Sequence, residues 1–166
     1  IVSTALTYLE SLRDDAGDDP ELAFELASAY EKVGSVQGLP LKNNLGDTAG
    51  ALESYANALR ILKPLMARGD LPAERLTLRV LHRDAHVRRA RGDRTEADTA
   101  FERAWQAAEG ALARMLDDPD VLDTAASSAS DTSRAAFELR DLVRAERFAL
   151  VAMELSTRLS ALFPER

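Results

Sequence analysis

The sequence predicts an all-α protein assembled from helix pairs, and three observations carry that prediction. Apolar residues recur at intervals of three and four along most of the chain, the spacing of one helix face. Small residues dominate: 29 of the 166 positions are Ala and 5% are aromatic. Such a core suits helices that approach closely, whereas strands favour β-branched and aromatic residues. The third observation is a period. Ala51, Ala97 and Ala145 lie 46 and 48 residues apart, and Ala27, Ala85 and Ser133 keep the same intervals once 12 residues after Gly34 are set aside as an insertion. Stacked helix pairs give this signature.

Residues 1–16 read as a leading helix with Val2, Leu6, Leu9 and Leu12 at helical spacing beside Ala5 and Tyr8, broken at Gly17. The acidic run Asp14, Asp15, Asp18 and Asp19 lacks the alternating ligands and distant Glu of a calcium loop. It reads as a solvated turn ending in a cap. Asp19 is the expected N-cap of the next helix, with Pro20 at its first position and Glu21 near its positive end.

The first pair spans 20–66. Its first helix carries Leu22, Ala23, Leu26, Ala27 and Tyr30 on one face and should reach about Gly34 or slightly beyond. Residues 35–46, with Gly38, Pro40, Asn43, Asn44 and Gly46, are expected to be a structured loop. The second helix starts near Asp47, carries Ala51, Leu52, Tyr55, Ala58, Leu59 and Leu62, and is expected to end at Pro64, Gly69 and Pro72.

The second pair spans 72–115, with Leu76, Val80, Leu81, Ala85 and Val87 before a Gly92–Asp93 turn and Ala97, Phe101 and Ala104 after it. Trp105 shares a face with Phe101 and reads as core. The third pair spans 119–163. Asp118–Pro119–Asp120 echoes Asp19–Pro20–Glu21, and Ala145, Phe148, Ala149 and Ala152 lie on its second helix before Pro164.

The stretch ASAYEKVGSVQGLPLKNNLGDTAGALESYANAL, residues 27–59, resembles a tetratricopeptide repeat: Ala27 and Tyr30, the Gly46–Asp47 turn, then Ala51, Tyr55 and Ala58. The resemblance implies one domain over 1–166, a right-handed α-α superhelix of about seven helices, with the first helix of each pair lining a concave groove. The sequence departs from the family in its period, longer than the usual ~34 residues, so each helix should gain one to two turns. It also departs at Asp84, Arg88, Thr132 and Ala136, where the family usually has a large apolar residue or Tyr.

A narrower resemblance covers residues 1 to 65. The GDDP, AYEKVG, the glycine–proline insertion and NLGDTAGALESY look like the repeat region C-terminal to the kinase domain of some bacterial eukaryotic-like serine/threonine kinases. It implies an accessory interaction domain of a larger signalling protein. His82–Arg83–Asp84 spells a kinase catalytic triplet, but the Asn, the glycine-rich loop and the DFG that such a loop requires are absent. The repeats that clamp chaperone tails place Lys and Asn where this chain has Phe24 and Ser28, so that clamp is not supported.

Charge then narrows the ligand. The chain is −7 overall, which argues against general nucleic-acid binding. Residues 75–94 nonetheless hold seven Arg against Asp84 and Asp93. Counting from Ala85 as the family's small position, the groove positions are Arg79, His82, His86 and Arg89, with Arg134 by the same count in the third pair and Phe24 and Ser28 at the N-terminal end. A basic stripe of this kind suits an acidic protein segment or a terminal carboxylate, because Arg binds carboxylates in a bidentate fork. The same arginines also fit a solvated face, or ion pairs with neighbouring helices.

His82 and His86, at i and i+4, have chelating spacing, but the surrounding arginines make a metal site an unfavoured reading, and a titrating His pair would instead make ligand affinity pH-dependent. Ser127, Ser128 and Ser130 have no base in the sequence nearby, so no enzyme activity and no cofactor is expected. The expected function is a non-catalytic protein-binding module. The alternative is a self-associating scaffold, through the apolar side of the first helix, or a nucleic-acid contact using the same arginines; the lack of interleaved aromatics counts against single-strand binding. The chain has no cysteine, no leader pattern and no apolar run of 18 residues. It begins at Ile1 already in helical pattern, which suggests an excised domain. A cytoplasmic location is expected, with an extracytoplasmic domain of an anchored protein as the alternative.

Overall fold

The computed structural model describes residues 2–15, 19–40 and 42–165. Their regular structure is seven helices, with no strand among the described residues: α1 (Val2–Asp15), α2 (Pro20–Gly38), α3 (Thr48–Ala67), α4 (Leu71–Ala90), α5 (Arg94–Leu112), α6 (Pro119–Glu138) and α7 (Leu142–Leu162). The break expected at Gly17 and the acidic residues of that turn lie outside the described residues or side chains, apart from Asp19. No described helix is long and apolar enough to cross a membrane.

Aspartate starts six of these helices. Asp19, Asp47, Asp70, Asp93, Asp118 and Asp141 each cap the helix that follows, and their carboxylates accept backbone N–H groups of the first turn. Those N–H groups have no partner inside the helix, so each cap contributes about 1 kcal/mol. Pro at the first or second position reinforces α2, α4 and α6.

The chain forms two compact units, Ile1–Arg91 and Gly92–Arg166. In the first, consecutive helices α1 to α4 pack on one another, and α2 also touches α4. Leu26, Ala27, Tyr30, Ala51, Tyr55, Ala58, Leu62, Leu76 and Val80 form its core, with Leu9 of α1 buried among them and Leu6 packed against them. Tyr8 is exposed.

One helix end runs further than the sequence expectation. α2 continues past Gly34 to Gly38. Gly34 serves close approach instead of a turn, because a β-carbon there would fall 2.6 Å from the Tyr55 ring. The connection is therefore shorter than expected. Asn44 organises it, donating to the Leu39 and Lys42 carbonyls and accepting from Gly46 N–H at 2.8 Å. α3 passes Pro64 and ends at Ala67, within the stretch from Pro64 to Pro72 expected to end it. A proline near a helix end removes one hydrogen bond without ending the pattern, and the reversal comes at Gly69, whose φ is +80°.

The second unit packs α5 on α6 and α6 on α7. Its buried residues are mostly small: Ala97, Ala100, Ala104, Ala108, Ala125, Ala129, Ala136 and Ala145, with Phe101, Val121, Leu122 and Phe148 as the larger fillers. Arg144 of α7 ties the unit together by donating to Asp98 at 2.9 Å and Glu102 at 2.6 Å on α5. Trp105 is half-buried and meets Phe148 edge-on, with ring centres 5.5 Å apart.

Candidate functional site

Arg79, His82, His86 and Arg89 all lie on α4, and burial grades them along the helix. Arg79 is exposed, His82 and Arg89 are half-buried, and His86 is buried. The two imidazoles meet edge-on with Nε2 atoms 3.3 Å apart, within hydrogen-bond distance. Phe24 and Ser28 are half-buried on α2, and Phe24 packs against the core of the first unit. Arg134 stands on α6 of the second unit, exposed and 3.8 Å from Asp131.

Of these, Arg79 enters a cavity. It opens on the first unit with a volume of about 410 Å³, lined by Glu31, Lys32, Ser35 and Val36 of α2, Lys42 and Asn43 of the α2–α3 connection, and Arg79 and Arg83 of α4. The extension of α2 beyond Gly34 is what places Ser35 and Val36 in this wall. His82, His86, Arg89, Phe24 and Ser28 lie outside the lining.

The floor is a bonded chain. Glu31 is 3% exposed and forms an ion pair with Arg83. Arg83 Nη1 also donates to Ser35 Oγ at 3.0 Å. Ser35 in turn donates to the Glu31 carbonyl at 3.0 Å and lies 3.2 Å from the Tyr55 hydroxyl. Burial pushes the Arg83 pKa below its ordinary value, and burial raises that of Tyr55, with Asp84 adding to the rise and the Ser35 bond opposing it. Gln37, also buried, accepts from Ser54 at 2.6 Å and braces Asp47, so the turn carrying Lys42 is fixed from below.

Chemically, the wall carries Lys32, Lys42, Arg79 and Arg83 against the single carboxylate of Glu31. Glu31 engages Arg83 closely, while Arg79 Nε stays 4.0 Å from it with half of its side chain in solvent. Arg79 and the two lysines therefore present donors outward. Arg83 and Lys42 were not among the groove positions expected from sequence. Arg83 lies four residues after Arg79 and so on the same face, which was a usable signal; Lys42 depends on how the connection folds. No protein-family model and no curated protein matches this chain.

Proposed function

We propose that this chain is a non-catalytic protein-interaction module of tetratricopeptide-like type that binds an acidic segment of a partner at the basic cavity between α2, α4 and the α2–α3 connection. The observation that carries this reading is the lining itself: four cationic side chains around one buried, already paired acid. A carboxylate entering there meets Arg83, held by Glu31 and Ser35, together with the exposed donors of Arg79, Lys32 and Lys42, and charge-assisted bonds are the strong ones. The half-buried His82 and Arg89 continue along α4 and would engage residues flanking the acidic anchor, while His86 is buried and takes no part in that surface. The likeness of residues 1 to 65 to kinase-associated repeats supports an accessory role in a larger bacterial signalling protein.

The test uses fluorescein-labelled 10-residue peptide pools, one rich in Asp and Glu and one rich in Lys, titrated into the 166-residue chain. The acidic pool should bind and the Lys pool should not. Arg79→Glu with Lys42→Glu reverses two exposed cations and leaves the Glu31–Arg83 pair intact. It should weaken the acidic pool at least ~10-fold, about 1.4 kcal/mol, with far-ultraviolet circular dichroism unchanged. Equal binding by wild type and double variant overturns the assignment.

A further inference from the structure

The last helix of the second unit leaves one face unpacked. α7 turns Ala145 and Phe148 inward, where both are buried, and Ser133 of α6 donates to the Ala145 carbonyl at 2.7 Å. On the opposite side, Val143, Leu150 and Met153 are 81%, 55% and 63% exposed. Thr157 and Ala161 continue the stripe, and a shallow groove of about 540 Å³ runs along Leu150, Met153, Thr157 and Ala161 beside Glu154 and Arg158. Exposed apolar side chains gathered along one helix face mark a contact surface.

The charges beside it select the occupant. Val143, Leu150 and Thr157 recur every seven residues, with Glu146, Met153 and Ser160 three positions later, the seam spacing of paired helices. Arg147 and Glu154 occupy the same flanking position one heptad apart, with opposite charge. Arg147 is held at that edge by the Phe148 ring, 4.7 Å from its guanidinium carbon. If two identical helices pair in parallel, these flanking positions face Leu142 and Ala149 and neither charge is matched. If they pair antiparallel, the flanking position meets itself. Leu150 then packs on Met153 of the second copy, Arg147 meets Glu154 of the second copy, and the reverse pair forms by symmetry.

We propose that α7 pairs antiparallel with α7 of a second copy of this chain, about a two-fold axis between Leu150 and Met153, with Arg147 and Glu154 bridging on both sides. One helix face per copy is a small interface, so the dissociation constant should be on the order of 10 µM. This rests on the second unit alone and is independent of the basic cavity.

Sedimentation velocity of the 166-residue chain from about 1 to 300 µM, a range bracketing that constant, should show a monomer converting to a dimer. Arg147→Glu or Glu154→Arg alone should weaken dimerisation at least ~10-fold, and the two together should restore it, since the swap preserves both bridges. Because the chain has no cysteine, Val143→Cys and Ser160→Cys report direction: mixed and oxidised, they should link to each other and neither to itself. A chain that stays monomeric throughout overturns the proposal and leaves the face to another protein. Self-linking of Val143→Cys, or a charge swap no better than the single variants, overturns it as well.

Discussion

Gly34 rests its bare Cα on the ring of Tyr55. A β-carbon at Gly34 would lie 2.6 Å from Tyr55 Cε1, 2.8 Å from Cδ1 and 3.1 Å from the Ala51 carbonyl. Tyr55 is fully buried and its hydroxyl is tied to Ser35, so the ring has nowhere to go. Gly34→Ala should therefore destabilise by about 2–3 kcal/mol, although Ala is the better helix former by roughly 1 kcal/mol. Gly110→Ala in α5 is the control, since its β-carbon would meet nothing nearer than Arg114 Nη2 at 3.7 Å. That variant should gain about 0.5–1 kcal/mol. Urea unfolding of the two variants checks the contrast.

Four helix connections place a left-handed residue directly before the capping aspartate: Gly46, Gly69, Gly92 and, in the last, Arg140 with φ of +65°. A side chain in that region costs about 1–2 kcal/mol, partly offset because glycine loses more freedom on folding, about 0.5–1 kcal/mol. Arg140→Gly should therefore stabilise by about 0.5 kcal/mol and raise the midpoint of thermal unfolding by roughly 2 °C. Gly92→Arg should do the reverse by a similar amount. Differential scanning calorimetry on both variants measures it.

What the sequence made legible follows the range of each signal. The helix starts at Asp19, Asp47 and Asp93 were readable because Asp–Pro and Gly–Asp act on their own first turn. The end of α2 was not. Gly34 carries the same letter whether it reverses the chain or admits a neighbour's ring, and only packing against Tyr55 distinguishes the two. The cavity was half legible. Arg79 was found by its place on α4, but Arg83 and Ser35 are 48 residues apart and meet only because α2 packs on α4. Glu31 gave no signal either, since a buried acid and a solvated one look alike in a helical pattern.

The Glu31–Arg83 pair should be costly to break from one side. Arg83→Met leaves a carboxylate that is 3% exposed with Arg79 as its nearest replacement cation, 4.0 Å away. An uncompensated buried charge costs several kcal/mol, and partial rescue by Arg79 brings the expected loss to about 2–3 kcal/mol. Adding Glu31→Gln removes the stranded charge and should recover more than half of that loss. A double-mutant cycle by urea unfolding measures the coupling directly.

Tyr55 should make stability fall at alkaline pH. Burial raises its phenol above the ordinary 10.0, with Asp84 reinforcing the rise. Below about pH 10 the folded and unfolded chains both keep the proton, so the contribution is fully present. Above it the unfolded chain releases the proton while the folded chain holds it. Stability then drops by about 1.4 kcal/mol per pH unit until the buried phenol itself ionises. Tyr55→Phe lacks this loss. At neutral pH wild type should be the more stable by about 1 kcal/mol through the Ser35 bond, with that lead narrowing as pH rises above ~10. Urea unfolding of both proteins across this range tests it: a lead that stays constant would mean the Tyr55 hydroxyl ionises as freely in the fold as in the unfolded chain.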